Sequence, residues 1–258
     1  MYTLGIDIGS TTSKCAVIKD GTELVDTSLQ TGGLGTGGPE EALAALWRSS
    51  GLTAADRART VVTGYGRKNY EGADGEISEL TAHALGGRFV FPDLRTVIDI
   101  GGQDAKVIAL SPSGKMVNFV MNDKCAAGTG RFLDVMASIL RLDVDDLDTE
   151  AARSTAPASI SSTCTVFAES EVISQLANGV KRPDLVAGIC RSVASRVAAL
   201  ARRAGVTEQV CLSGGVAQND AVRQALSEEL NVPVSVDPLA QYFGAIGAAL
   251  WACKEVSK

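Results

Sequence analysis

Two cysteines stand in segments whose residue types suit chemistry better than core packing. Cys125 lies in NDKCAAGTGRFLD, where a strand-like run from Met116 to Met121 gives way to small residues and then to an amphipathic helix. Ser, Thr or Asp normally occupies such a place as a helix cap. Cys164 lies in SSTCTVFAESEVISQLANG, again just before a helical pattern. The N–H groups and dipole of a helix N-terminus favour a thiolate, so both cysteines are candidate ligands.

From spacing alone, Cys125 and Cys164 can also be buried thiols or helix caps. A zinc half-site is a further alternative, although no CxxC pair or pair of histidines accompanies them. His83 is the only histidine and lies in a helical pattern, which predicts a packing or surface role. The remaining four cysteines lie inside strand or helix patterns and are expected in the core, namely Cys15, Cys190, Cys211 and Cys253.

A repeated segment carries the second candidate chemistry. IDIGSTTSK at 6–14 recurs as IDIGGQDAK at 98–106, so Asp7 and Asp99 lie 92 residues apart. Each aspartate ends a strand and precedes Ile-Gly and a second strand that starts at a lysine. Such a turn exposes N–H groups and small hydroxyls to an anion, and the aspartate can hold a hydrated Mg²⁺. The repeat predicts two related lobes with one phosphate-binding hairpin each. The alternative is that both aspartates are simply turn residues.

Three glycine-rich patterns have to be distinguished. CLSGGVAQND at 211–220 is a strand, a Gly-Gly turn and a helix, and its bare backbone suits the adenosine end of a nucleotide. Gly33, Gly35 and Gly38 spell GxGxxG, but the preceding ELVDTSLQT is too polar for the buried first strand of a dinucleotide-binding unit. The sequence contains no GxxxxGK[ST], which excludes a P-loop.

The elements that must position these residues alternate between strands and helices, which predicts an α/β protein. Strands are predicted at 2–8, 14–19, 60–64, 96–100, 105–110, 209–214 and 232–236. Helices are predicted at 39–49, 78–86, 128–142, 166–179, 184–204, 217–230 and 240–253. The Gly-rich 30s and the acidic, then Ser/Thr-rich stretch at 143–163 are predicted to be loops or surface elaborations.

Composition limits the class of protein. At 258 residues and 45% hydrophobic content, the chain can form one large domain or two lobes. It carries 30 acidic and 24 basic residues without a basic cluster, so we expect no nucleic-acid partner. The N-terminus lacks a secretion-signal pattern, and no run of 18 apolar residues occurs. We therefore expect a cytoplasmic protein without membrane association.

The two IDIG hairpins, the late SGG turn and the C-terminal GAIGAALWA helix together resemble the superfamily of actin, heat-shock chaperones and sugar kinases. Within it, the two cysteine segments resemble the activator component of 2-hydroxyacyl-CoA dehydratases. That component belongs to the BadF/BadG/BcrA/BcrD ATPase family, which includes benzoyl-CoA reductase ATPase subunits. The resemblance covers essentially the whole chain, and the cysteine segments are its more specific part.

The resemblance implies two ribonuclease H-like lobes with a nucleotide cleft between them. The first lobe would comprise 1–94 and the second 95–239, with a C-terminal helix at 240–255 packing back on the first. ATP or ADP would be bound with Mg²⁺ held by Asp7 and Asp99. Asp7, Asp99, Gln103 and Asp104 are the implied catalytic residues. The implied nucleotide contacts are Gly9, Ser10, Thr11, Thr12, Lys14, Gly101, Gly102, Gly214, Gly215, Gln218 and Asn219.

The resemblance also implies a homodimer that holds one [4Fe-4S] cluster through Cys125 and Cys164 of each subunit. Their 39-residue separation matches no single-chain cluster motif, in which cysteines recur about two to four residues apart. A two-fold interface presents the same two residues twice and so completes the site.

The implied function is ATP-driven one-electron transfer. Ferredoxin or flavodoxin would supply the electron, and an iron-sulfur enzyme such as a 2-hydroxyacyl-CoA dehydratase would accept it. One alternative is a small-molecule kinase of the same superfamily, for which Asp123 is a candidate carboxylate. Another is a nucleotide-gated binding protein without a redox role.

Overall fold

A computed structural model describes residues 1–33, 35–161 and 164–257 of the chain. The strands are β1 (Tyr2–Ile8), β2 (Thr12–Lys19), β3 (Glu23–Thr31), β4 (Arg57–Thr63), β5 (Gly75–Glu76), β6 (Thr96–Ile100), β7 (Ala105–Leu110), β8 (Met116–Asn122), β9 (Val210–Ser213) and β10 (Val234–Ser235). The helices are α1 (Gly38–Ser50), α2 (Glu79–Val90), α3 (Gly130–Leu140), α4 (Leu147–Ala151), α5 (Thr165–Ala177), α6 (Arg182–Ala204), α7 (Asp220–Leu230) and α8 (Phe243–Val256). This is the α/β class that the alternating pattern predicts.

The chain forms two compact units. The first comprises Met1–Leu94, Leu110–Met116 and Asp237–Lys258, and the second comprises Arg95–Ala109 and Val117–Val236.

The first sheet has the strand order β3-β2-β1-β4-β5. Strand β1 pairs antiparallel with β2, which sets Asp7 opposite Lys14, and parallel with β4 on its other side. Because side chains alternate along a strand, Leu4, Ile6 and Ile8 all face one side, where they pack with residues of α1. On the other face, Ala16 and Ile18 of β2 pack against α8.

The second sheet has the order β10-β9-β6-β7-β8. Strand β6 pairs antiparallel with β7, which sets Asp99 opposite Lys106, and parallel with β9. The sequence repeat therefore reappears as the same three-strand arrangement, β1, β2 and β4 in the first unit and β6, β7 and β9 in the second. Helix α6 packs against α4 and α7.

Two predicted features differ from the structure. ELVDTSLQT forms β3, whose side chains are mostly half-buried. Its polar sequence fits a strand that makes little contact with the core. The stretch at 143–163 contains a 3-10 turn at Val144–Asp146 and the short helix α4, whose Leu147 is fully buried. A helix of one turn offers too few positions to show an apolar period in sequence.

Helix length also bears on the membrane question. Among the residues described, none of the helices combines the length and apolar character that crossing a bilayer requires.

Candidate functional site

The first hairpin joins β1 and β2 through a tight turn at residues 9–11. The Gly9 N–H donates to the Thr12 carbonyl oxygen at 3.0 Å, which closes the turn. A Cβ on Gly9 would stand 3.6 Å from Lys14 Nζ, so the ammonium group lies beside the turn. Ser10 is half-buried, whereas Thr11 is exposed. The turn therefore carries hydroxyls and a cation, the groups that an anionic phosphate requires.

Asp7 is buried at the end of β1, where elements from distant parts of the chain surround its carboxylate. A Cβ on Gly244, at the start of α8, would stand 2.5 Å from Asp7 Oδ2 and 3.2 Å from His83 Nε2. A larger residue would not fit here, and the imidazole of His83 and the Asp7 carboxylate both lie against Gly244. His83 is buried, with 6% of its surface exposed. The sequence predicted a packing or surface role for it but gave no sign that it lies near Asp7.

The second hairpin joins β6 and β7, and its turn is closed by a 2.9 Å hydrogen bond from the Gly101 N–H to the Asp104 carbonyl oxygen. Asp99 is buried, accepts a 2.7 Å hydrogen bond from Ser213 Oγ and lies 3.2 Å from Lys106 Nζ. Lys106 Nζ also lies 2.7 Å from Asp104 Oδ2. The two predicted carboxylates of this hairpin are therefore bridged by one buried ammonium group.

Lys106 and Ser213 are absent from the set of residues predicted from sequence. A signal for Lys106 was available, because it stands in the second repeat at the place of Lys14 in the first. Ser213 follows from the parallel pairing of β6 with β9, which sets it opposite Asp99. That pairing joins residues far apart in sequence and is not encoded by any local pattern.

The Gly-Gly turn after β9 belongs to the same part of the second unit. A Cβ on Gly214 would stand 2.9 Å from Asp99 Oδ1, so this turn lies against the second hairpin. Gly215 and Gln218 are exposed. Asn219 is buried and its side chain accepts a 2.8 Å hydrogen bond from the Val222 N–H, which caps α7. Its contact with adenosine stays a prediction beside this capping role.

The second hairpin is hydrogen-bonded to the start of α3. Gly130 N–H donates to the Gly101 carbonyl oxygen and Arg131 N–H donates to the Gly102 carbonyl oxygen, both at 2.8 Å. The first N–H groups of a helix have no partner within the helix, and here two of them are satisfied by the hairpin turn. The second hairpin and the segment after Cys125 are therefore joined directly by backbone hydrogen bonds.

Cys125 is exposed in the loop between β8 and α3. The side chain of Asn122 fixes this loop by donating to the Cys125 carbonyl oxygen at 2.8 Å and to the Ala127 carbonyl oxygen at 3.2 Å. Cys125 does not occupy the helix cap that its sequence context resembles, because Thr129 is the N-cap residue of α3. The thiol is left exposed on a loop that is fixed at its base.

Cys164 is exposed and is the N-cap residue of α5. Its carbonyl oxygen accepts from the Ala168 N–H at 2.9 Å, and among the described residues no side chain caps this helix by a hydrogen bond. The positive end of the helix dipole therefore lies at the thiol, which favours an anion there. Ser162 and Thr163 of the cysteine segment lie outside the described residues.

Two exposed thiols are the candidate ligands that the structure leaves at the surface. Across residues 1–33, 35–161 and 164–257, no group of three or more metal-ligating side chains is gathered in one place. Cys164 lies at a helix N-terminus that favours an anion, and Cys125 is exposed on a fixed loop. Two thiols would be only part of a cluster's ligand set, and a two-fold axis would present the same pair again.

The other cysteines differ sharply from this pair. Burial raises the pKa of Cys15 and of Cys190 to about 12 in each case and raises that of Cys211 further. The predicted core role is confirmed for these three, whereas Cys253 in α8 is half-exposed.

Comparison with known proteins agrees with this geometry. Residues 4–252 match the BadF/BadG/BcrA/BcrD ATPase family. The (R)-2-hydroxyglutaryl-CoA dehydratase activating ATPase of Acidaminococcus fermentans is 56% identical, and the alignment covers 100% of this chain and 99% of that protein. The activator of the 2-hydroxyisocaproyl-CoA dehydratase from Clostridium difficile, solved with bound ADPNP, superposes with a TM-score of 0.97 at 52% identity and covers 100% of this chain and 96% of its own.

The fold extends beyond this family. A ROK family glucokinase from Streptomyces griseus matches with a TM-score of 0.59 at 15% identity, covering 98% of this chain and 100% of its own. At that identity the match shows only that the two chains share a fold.

Proposed function

The chain belongs to the BadF/BadG/BcrA/BcrD ATPase family, and we propose that it is the ATP-dependent one-electron donor that activates a 2-hydroxyacyl-CoA dehydratase. The observation that carries this proposal is the 56% identity, over the full chain, to an activating ATPase of such a dehydratase. The two exposed cysteines, one of them in a segment hydrogen-bonded to a phosphate hairpin, give the proposal a physical basis.

For the nucleotide, each hairpin would contribute its turn to the phosphates. Gly9, Ser10, Thr11, Thr12 and Lys14 would do so in the first unit, and Gly101, Gly102, Gln103 and Asp104 in the second. Asp7 and Asp99 supply carboxylate oxygens, the donors that Mg²⁺ prefers. Because Asp99 already accepts from Ser213 and Lys106, it would hold a hydrated ion through water. Positioning and charge neutralisation are the main requirements for phosphoryl transfer to water.

For the adenosine end, Gly214 and Gly215 offer bare backbone, with Gln218 and Asn219 nearby. The location of this turn against Asp99 supports its assignment to the same nucleotide as the second hairpin.

For the redox centre, Cys125 and Cys164 would hold one [4Fe-4S] cluster together with the same residues of a second subunit. Such a cluster supplies one-electron transfer at low potential when bound. The homodimer follows from the ligand count, since each chain contributes two thiols. Ferredoxin or flavodoxin would deliver the electron, and the dehydratase would receive it. A cytoplasmic location suits all three partners.

Coupling would run through the hydrogen bonds between the second hairpin and α3. When the turn at Gly101 and Gly102 adjusts to the γ-phosphate, the N-terminus of α3 must follow or lose both hydrogen bonds. The Cys125 loop leads directly into that N-terminus. ATP hydrolysis at the hairpin would therefore be coupled to a change in the surroundings of the Cys125 thiol.

The test is activation of an anaerobically purified 2-hydroxyacyl-CoA dehydratase by this protein. We expect activation only when ATP, Mg²⁺ and a one-electron reductant are all present, and no activation with a non-hydrolysable ATP analogue. Because (R)-2-hydroxyglutaryl and 2-hydroxyisocaproyl enzymes are the partners named for the relatives, dehydratases for both should be tried. Absence of a visible-absorbing iron-sulfur chromophore in the anaerobic protein would refute the redox function.

A further inference from the structure

A cavity beside Cys125 contains a basic side chain that the function described so far does not use. The cavity has a volume of about 230 Å³, and its lining includes Asn122, Cys125, Gly128, Arg196 and Leu200. Arg196 lies in the middle of α6 and is half-buried. Arg196 is therefore a cation that lines the same cavity as Cys125, the proposed cluster ligand.

The Arg196 side chain is held in place by its neighbours. Its guanidinium carbon lies 5.6 Å from the centroid of the Phe132 ring, in cation–π geometry, and Phe132 is fully buried in α3. Its Nε and one terminal nitrogen each lie 3.4 Å from Ser192 Oγ, one turn earlier in α6. A Cβ on Gly128 would stand 3.4 Å from Arg196 Cβ, so the aliphatic stem packs against the Cys125 loop.

Both cysteines act on this guanidinium. Burial lowers the pKa of Arg196, and its electrostatic interaction with Cys125 and Cys164 acts in the opposite direction. Cys125 lines the same cavity as Arg196. Cys164 is the N-cap residue of α5, which packs against α6, the helix that carries Arg196. Since arginine stays protonated in proteins, its charge is fixed across the neutral range.

We propose that Arg196 is a positioning residue that holds a fixed positive charge beside the Cys125 and Cys164 ligands and thereby raises the reduction potential of the cluster they bind. The inference rests on the proposed function, because it requires a cluster at these cysteines. In a homodimer, two Arg196 side chains would offset part of the negative charge of four thiolates.

The physical reason is the charge change on reduction. One electron leaves an external donor, a reduced flavin or iron-sulfur protein, and the site becomes more negative by one charge with no proton transferred. A nearby cation stabilises that extra charge, and net charge around a cluster is one of the determinants of its potential. Without Arg196, the same donor would reduce the site less completely.

The experiment is a potentiometric titration of the anaerobic dimer, monitored by electron paramagnetic resonance, on wild type and three variants. Arg196→Gln and Arg196→Met remove the charge, so that if one fails to retain iron the other can be measured. Arg196→Lys keeps the charge and loses the planar guanidinium. Arg191→Gln is the matched control, because Arg191 lies on the same helix and its guanidinium lies 3.7 Å from Glu228 of α7.

We expect the neutral variants to lower the equilibrium constant for reduction of the cluster about tenfold. For a one-electron step this is a decrease of ~59 mV in the midpoint potential. Arg196→Lys and Arg191→Gln should stay close to wild type. A midpoint in Arg196→Gln or Arg196→Met equal to that of Arg191→Gln overturns the inference and leaves the proposed function standing. A wild-type dimer that binds no iron overturns both, so iron content is measured first.

Discussion

The backbone N–H of Gly130 donates a 2.8 Å hydrogen bond to the carbonyl oxygen of Gly101, and the next pair, Arg131 and Gly102, repeats it at the same distance. This double link ties the turn of the second hairpin to the first turn of α3. Just before it, Gly128 adopts a φ of +85°, a conformation that side chains rarely accept. Gly128 is therefore the candidate pivot between the hairpin and the Cys125 loop.

Replacing Gly128 by Ala should weaken coupling more than it weakens nucleotide binding. A Cβ at this φ costs about 1–2 kcal/mol and would also press on the Arg196 stem. The measurement is the rate at which a chelator removes iron with ADP and with a non-hydrolysable ATP analogue. In wild type we expect the two rates to differ, because the nucleotides favour different conformations. In Gly128→Ala we expect the difference to shrink while nucleotide affinity changes little.

Gly205→Ala is the control for this variant. Gly205 has a φ of +89°, but a Cβ there would meet nothing within 4 Å. Gly205→Ala also places a side chain at a positive φ, but away from the Cys125 loop, so the nucleotide dependence should survive. Equal chelation rates in the two nucleotide states of the wild-type protein would contradict the coupling mechanism itself.

Replacing either proposed cluster ligand by serine should abolish the chromophore. Wild type should contain about four Fe per two chains, as one shared [4Fe-4S] cluster requires. Cys125→Ser and Cys164→Ser should each lose iron, whereas Cys253→Ser, which changes a half-exposed thiol in α8, should keep it. Cys190→Ser should keep it as well. Unchanged iron content in Cys164→Ser would refute the ligand assignment.

Asp7→Asn and Asp99→Asn should each suppress Mg²⁺-dependent ATP hydrolysis while the cluster spectrum remains. Each change removes a negative charge, and we expect a loss of roughly two orders of magnitude in turnover, the size typical of removing one charge-stabilising group. In Asp99→Asn, Lys106 still pairs with Asp104 at 2.7 Å, so the hairpin should stay folded. Asp56→Asn is the control, because Asp56 is exposed and bonds only within its own turn. Normal hydrolysis in both test variants would argue against the hairpin assignment.

Asp184 should make the second unit sensitive to acid. Its Oδ1 accepts from Ser154 Oγ at 2.7 Å and from the N–H groups of Ala156 and Thr155 at 2.9 and 3.0 Å. These hydrogen bonds lower the pKa of the Asp184 carboxyl, the Ser154 bond most strongly. Because the pKa of Asp184 is lower in the folded state, its contribution to folding stability is complete at a pH above its unfolded-state pKa of about 3.9. This contribution is lost as the pH falls through the folded-state pKa.

Asp184→Asn should therefore unfold at lower denaturant concentration than wild type at pH 7, and the difference should narrow as the pH falls below about 4. Urea titrations at several pH values measure this. The matched control is Asp237→Asn, a carboxylate in the other unit that accepts from the Leu239 N–H, and its replacement should lower the denaturation midpoint at pH 7 by less than Asp184→Asn does. A difference in denaturation midpoint between Asp184→Asn and wild type that stays constant from pH 7 to below 4 would contradict a stabilising role for the ionised Asp184 carboxylate.

Part of the fold follows from the sequence for a clear physical reason. Strands β6 and β7 have the predicted bounds because both are buried, β-branched runs ended by glycine or a turn. Strand β3 escaped prediction because its side chains are polar and half-buried. Cys125 was expected at a helix start, but the small residues after it form a loop, and Thr129 is the N-cap residue of α3.

By itself, the sequence determined the repeated hairpins, the SGG turn and the two cysteine segments, because each is a local pattern whose residue types imply their chemistry. Only the tertiary structure decided what surrounds them. His83 lies with Asp7 against Gly244 because α2 and α8 pack together, and Ser213 reaches Asp99 because β9 pairs with β6. Arg196 meets the cysteine segments because α6 packs against α3. Such contacts join residues distant in the chain and are set by the packing of whole elements, which no local pattern of residue types records.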